Sequence, residues 1–214
     1  MNEQHIEIKK QARYWQSAAI SDTTKEVWVV LHGYGQLAQF FIRKFQPIMN
    51  DERVIIAAEG MHRFYREGYS GRVGASWMTR EDRETDIEDY IGFIDDLITL
   101  VRKQQPNLKL TVLGFSQGAA TASRWANYGN ESFDRLIMWA SVFPPDMDFN
   151  LERLSGDDIR IDMVYPLQDE FTNRQDFCSH LEKLDNIGLP YNVKEFDGKH
   201  DIEANTLKEL SAFT

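Results

Sequence analysis

Short apolar runs alternate with helix-periodic stretches along most of this chain. Val27-Trp28-Val29-Val30-Leu31 is continuously apolar, as a strand buried on both faces must be. Runs of the same kind return at Val54 to Ala58, Leu108 to Leu113, Leu136 to Ala140 and Ile159 to Val164. Tyr191 to Phe196 alternates and predicts a last strand at a sheet edge. Residues 4–16, with Ile6 and Ile8 alternating and Tyr14-Trp15 beyond, predict an outer strand, and Ser21 to Thr24 a turn. Between the strands, residues 36–49, 84–104, 117–127, 172–187 and 202–213 carry helical spacing. Strands alternating with helices predict a three-layer α/β fold with a mostly parallel sheet. Two segments, 59–83 and 141–158, show little periodicity. Both follow a strand, so both fall at the carboxyl edge of the sheet, where open α/β folds bind ligands.

With 214 residues, no linker-like tract and no repeat, a single domain over 1–214 is the simplest organisation. A composition of 42% hydrophobic and 27% charged residues can fill a core and excludes fibrous or disordered classes. The formal charge of −10 argues against general nucleic-acid binding, because the chain would repel phosphates. No apolar run is long enough to predict stable membrane insertion. The polar start of the chain and a single cysteine, Cys178, make a cytoplasmic location the default expectation.

The chemistry-bearing segment is Gly114-Phe115-Ser116-Gln117-Gly118, placed between a strand and a helix. A G-x-S-x-G in that context is a nucleophile elbow. The turn forces the serine into a strained conformation, and the glycines remove Cβ atoms that would clash at the tight crossing. In folds with this elbow the acid and the histidine follow the serine in that order. Only His180 and His200 follow Ser116. His180 lies inside a helical pattern, whereas His200 follows the last strand, so His200 is the expected base. Asp169 comes just after the preceding strand and is the expected acid. Glu170 and then Asp197 are alternatives; Asp162 lies within the strand, and Asp157 and Asp158 lie at its wrong end.

Leu31-His32-Gly33-Tyr34-Gly35 ends the first buried strand. Its glycines would let the backbone approach the nucleophile, so the Tyr34 and Gln117 N–H groups are the expected oxyanion hole. His32 would hold this loop by hydrogen bonding. Trp77, Phe143, Tyr65 and Arg72 in the two long segments are candidates for the substrate pocket, the apolar residues for an acyl or aromatic group and the arginine for an anion.

These segments resemble the phospholipase/carboxylesterase group of α/β-hydrolases, which includes acyl-protein thioesterases. The resemblance rests on Leu31-His32-Gly33-x-Gly35, Ser76-Trp77-Met78, Gly114 to Gly118 and Gly198-x-His200, in order along almost the whole chain. It implies an α/β-hydrolase without a large cap, cleaving carboxylic esters or thioesters with a Ser116-Asp169-His200 triad and no metal or organic cofactor. The chain departs from the family at Ala119, at Tyr165-Pro166 and at Glu170-Phe171-Thr172-Asn173. Thioesterase action on lipidated proteins is therefore not carried over. The expected partner is a small ester or acyl substrate; the oligomeric state, a homodimer included, is left open. Two other readings compete: a non-catalytic binding protein on the same fold, and a hydrolase of another acyl bond, such as a small peptidase.

Overall fold

The computed structural model describes residues 2–156 and 159–212. Asp157 and Asp158, weighed above as acids, lie outside the described residues, as do Met1, Phe213 and Thr214.

The continuous apolar runs form the expected strands. They are β2 (Glu26–Leu31), β3 (Arg53–Ala58), β6 (Lys109–Phe115), β7 (Arg135–Trp139) and β8 (Arg160–Pro166), with β9 (Asn192–Phe196) at the edge. With β1 (Tyr14–Gln16) they make a seven-stranded sheet in the order β1-β3-β2-β6-β7-β8-β9. Every neighbouring pair is parallel except β1 with β3.

Successive side chains of a strand point to opposite faces, and β2 shows why its run has no polar gap. Val27, Val29 and Leu31 pack in one core with Ile94 and Leu97 of α2 (Arg83–Gln104), Trp125 of α3 (Gln117–Tyr128) and Phe177 of α5 (Arg174–Ile187). Trp28 and Val30 pack in a second core with Phe41 of α1 (Ala38–Phe41), Phe45 and Leu207 of α6 (Ala204–Ser211). Helices on both faces complete the three layers.

The structure corrects the sequence reading in four places. The predicted outer strand shrinks to three residues, because Ile6 and Ile8 are 87% and 79% exposed and bury no face. The helix expected over 36–49 is one α turn, α1, followed by a 3₁₀ segment over Ile42–Ile48. Pro47 sits inside that segment and has no N–H to continue an α ladder. The first aperiodic segment contains a hairpin, β4 (His62–Tyr65) with β5 (Val73–Ser76). The second contains a short helix, α4 (Leu151–Leu154), capped by the Asn150 side chain.

Register carries the fold into the site. Leu31 of β2 lies opposite Gly114 of β6, so the loop after β2 meets the turn after β6. Pro166 lies opposite Phe196, so the loops after β8 and β9 run side by side. The strand order reverses beside β2, with β3 on one flank and β6 on the other. Ligands of open α/β sheets bind at such a switch point.

The amino-terminal edge is held by two buried ion pairs. Asp162 accepts from Arg135 Nε at 2.6 Å and from Arg160 NH2 at 2.9 Å, and Glu26 pairs with Arg53. Both buried arginines also donate to carbonyls at the end of α6: Arg135 to Leu210 O and Arg53 to Ser211 O, each at 2.7 Å. Cations are favoured there by the helix dipole. Asp162→Ala would leave Arg135 buried without its carboxylate, so urea unfolding should show a loss of about 3–5 kcal/mol. A loss below ~1 kcal/mol would mean that water or Glu26 compensates the cation.

Candidate active site

Ser116 stands between β6 and α3 with φ 54° and ψ −119°, in the left-handed half of conformational space. A serine held there is strained by about 1–3 kcal/mol. The flanking glycines show what imposes it. A Cβ on Gly114 would lie 2.2 Å from Gly118 O, and one on Gly118 would lie 2.2 Å from Leu31 O. Backbone crosses backbone at distances that no side chain permits, and the serine between them is turned outward.

The candidate base and acid come from the adjacent loops after β9 and β8. Leu167 N–H donates to Phe196 O and Gln168 N–H to Gly198 O, both at 2.9 Å, so the loops continue the ladder of their strands. Asp169 Oδ2 lies 2.8 Å from His200 Nδ1, and the carboxylate side chain has no solvent exposure. Its other oxygen accepts the Phe171 and Thr172 N–H groups at 2.8 and 3.1 Å. The imidazole is thereby oriented with Nδ1 towards the Asp169 carboxylate, and Nε2 has no partner among the described residues. The alternatives fall away. Asp162 is consumed by Arg135 and Arg160, Asp197 by the Gln168 amide at 2.6 Å, and Glu170 is exposed.

Phe115, beside the serine, brings its ring within 4.9 Å of His200, and Phe171 covers the imidazole at 4.6 Å. Phe171 is 74% exposed and its role was not foreseen from the sequence. The only available signal was an apolar residue two positions after the acid. Ser116 Oγ makes no hydrogen bond to His200 or to any other described residue. Bonds between nucleophile and base are often loose in the absence of substrate.

The loop after β2 reaches the elbow. A Cβ on Gly33 would sit 3.3 Å from Ser116 Cβ. Gly33 N–H donates to Gln36 Oε1 at 3.0 Å, and Gly35 N–H to Ala75 O at 2.8 Å. Among the described residues, the Tyr34 N–H between them has no acceptor, nor has the Gln117 N–H at the start of α3. Two donors are thus left unpaired beside Ser116.

His32 holds this arrangement from beneath. It is fully buried, and burial pushes its pKa below the ordinary value, so the ring is neutral. Its Nδ1 donates to Gly33 O at 2.8 Å and its Nε2 accepts the Gly60 N–H at 3.0 Å. Trp77 Nε1 donates to His32 O at 2.8 Å. The Gln117 amide spans Ser76 Oγ and Met78 O, both at 3.0 Å, and accepts the Trp77 N–H at 3.2 Å. The Ser76-Trp77-Met78 segment is therefore a clamp on the elbow and the loop after β2.

Two pocket candidates are corrected by their burial. Trp77 and Phe143 have no exposed surface to offer a substrate. Trp77 packs on His32 with ring centroids 5.2 Å apart, and Phe143 stacks on His180 at 6.0 Å. Tyr65 is half exposed on β4 but is not among the residues lining the cleft of about 550 Å³ beside Gly35, whereas Arg72 is.

No protein-family model and no curated protein matches the chain. Solved structures do. A maize acyl-protein thioesterase 2 superposes with a TM-score of 0.70 at 17% identity, over 95% of this chain and 97% of that one. An esterase named PE8 gives 0.67 at 19% identity over 95% and 98%. A Bacillus cereus carboxylesterase gives 0.68 at 14% identity over 94% and 92%. The fold is that of the α/β-hydrolases. At such identities the likeness extends to the hydrolase fold and no further. It agrees with the family resemblance of the motifs, and nearly full coverage in both directions leaves no large cap.

In this hydrolase fold His180 is structural. Its Nε2 accepts the Phe143 N–H at 3.2 Å, and burial pushes its pKa down to about 4. The unfolded imidazole titrates near 6.5, above the folded value, so the unfolded state binds the proton first as pH falls. The stabilisation is complete above about pH 6.5 and is lost between there and about pH 4. The Tm should fall across that window, and His180→Gln should flatten the slope. An unchanged slope would exclude His180 as a contributor to acid sensitivity.

Proposed function

We propose that this protein is a serine hydrolase that cleaves carboxylic esters or thioesters through an acyl-enzyme intermediate. The observation that carries this reading is the buried Asp169–His200 pair, delivered to the same sheet edge as a strained, outward-turned Ser116.

The geometry supports the following course of reaction. Asp169 accepts the Nδ1 proton of His200 in a hydrogen bond and fixes the tautomer whose Nε2 can act as a base. His200 Nε2 takes the Ser116 Oγ proton as the oxygen attacks the substrate carbonyl. The Tyr34 and Gln117 N–H groups receive the oxyanion, aided by the positive end of α3. Collapse of the tetrahedral intermediate breaks the bond to the alcohol or thiol, which leaves with the proton from His200. Water, deprotonated by His200, then attacks the acyl-serine and releases the carboxylic acid. The Phe115 and Phe171 rings, at 4.9 and 4.6 Å from the imidazole, pack against it and leave its side chain 13% exposed.

A fluorophosphonate probe should label Ser116, and Ser116→Ala should remove both labelling and turnover of 4-nitrophenyl esters. A labelled or active alanine variant would overturn the assignment, and an unlabelled wild type would favour a binding protein on the same fold. Asp169→Asn should retain the fold but lower kcat by about 10³–10⁴, because the wrong tautomer is then favoured. Measuring kcat on matched ester, thioester and amide substrates sets the bond class.

A further inference from the structure

The hairpin formed by β4 and β5 is docked on the oxyanion loop. Gly35 N–H donates to Ala75 O at 2.8 Å and Ala75 N–H to Gln36 O at 3.0 Å. Beyond the last strand pair, Tyr65 with Val73, the Arg66 N–H donates to Arg72 O at 2.8 Å. Arg66 and Arg72 are therefore a cross-strand pair of like charge, which is unfavourable unless an anion lies between them. Both line the cleft of about 550 Å³ that begins at Gly35, next to the free Tyr34 N–H.

Neither guanidinium makes an ion pair or a side-chain hydrogen bond with any described residue, in a chain with ten more acidic than basic side chains. Arg13, Arg53, Arg83, Arg124, Arg135 and Arg174 are all paired with carboxylates; Arg43, Arg80, Arg102 and Arg153 have none among the described residues, but none of them lines this cleft. The third cation of the cleft, Lys44, is held by Asp201 at 2.6 Å, and Asp201 adjoins His200. The cleft thus lies against the oxyanion loop, with its Lys44 reaching to the histidine loop. Its floor is apolar, made by Leu37, Phe41 and Val73, and none of the described residues lining it is acidic.

We propose that this cleft selects esters that carry a carboxylate, separated from the scissile carbonyl by a short apolar spacer and bound by Arg66 and Arg72. The inference rests on the hydrolase reading above and names its substrate class. Two charged donors with fork geometry suit a carboxylate better than a single ammonium would. The apolar floor accommodates the spacer, while both arginines are exposed and so stay open to screening by salt.

The test compares kcat/KM within two matched pairs of substrates, each differing only in charge. One pair is 4-nitrophenyl hemiglutarate and its methyl ester, with the carboxylate on the acyl side. The other is the butyrate ester of 4-hydroxybenzoate and that of methyl 4-hydroxybenzoate, with the carboxylate on the alcohol side. In at least one pair the wild type should prefer the anion by about tenfold or more, as expected of charge-assisted hydrogen bonds. The preference should weaken with added salt. It should fall to about one in R66Q/R72Q and be only partly kept in R66K/R72K, which retains the charge but loses the fork. If R66Q/R72Q does not fold, the salt titration of the wild type decides. No anion preference in either pair, or a preference insensitive to salt and to both variants, overturns the inference while the neutral esters still report a working hydrolase. Failure to turn over all four esters, with Ser116 unlabelled by fluorophosphonate, overturns the hydrolase reading itself.

Discussion

The backbone crossing at Gly114 and Gly118 is the constraint on which the rest of this structure depends. There α3 begins against the ends of β6 and β2, with gaps that exclude even a Cβ. The strain at Ser116 survives because both flanking elements are over-determined. β6 is buried between β2 and β7, and Ala119, Ala122, Trp125 and Ala126 of α3 have essentially no exposed surface. Burial of that helix face offsets a local cost of about 1–3 kcal/mol many times over. Ser116 is positioned by the core, not by its own contacts.

A second layer of hydrogen bonds converts this rigid turn into a prepared site. The neutral ring of His32, the indole of Trp77 and the amide of Gln117 link the loop after β2, the segment after β5 and the start of α3. Each group is satisfied within the protein, and the consumption of the Gly33 and Gly35 donors is what leaves the Tyr34 donor over. The fully buried Glu59 carboxylate extends the network outward, accepting the Ala38 N–H at 3.2 Å and the Arg13 guanidinium at 2.5 Å. A buried polar network of this kind specifies one loop geometry, since any shift leaves a polar group unpaired in low dielectric.

Charge is distributed unevenly about the sheet. At the amino-terminal edge, buried arginines are matched by Asp162 and Glu26 and tie down the end of α6. At the carboxyl edge, Arg66 and Arg72 of the hairpin have no carboxylate partner among the described residues, beside a cleft with an apolar floor in a protein of net charge −10. The overall sign of the chain therefore says nothing about the field at its site, which is set within about a Debye length by which loops meet there.

The sequence by itself determined the buried strands of the main sheet and the elbow. Continuous apolar runs report burial on both faces, and G-x-S-x-G between a strand and a helix reports a backbone crossing. Chain order then singled out His200 and Asp169, because each strand delivers its following loop to one edge. What periodicity cannot report is which loops meet. The docking of the hairpin on Gly35, the burial of Trp77 and Phe143, the aromatic cover of Phe171 and the pairing of Arg66 with Arg72 all depend on strand order and register. Those are settled only when distant segments close on a common core. Local sequence fixes the local backbone, whereas exposure and electrostatic environment belong to the assembled molecule.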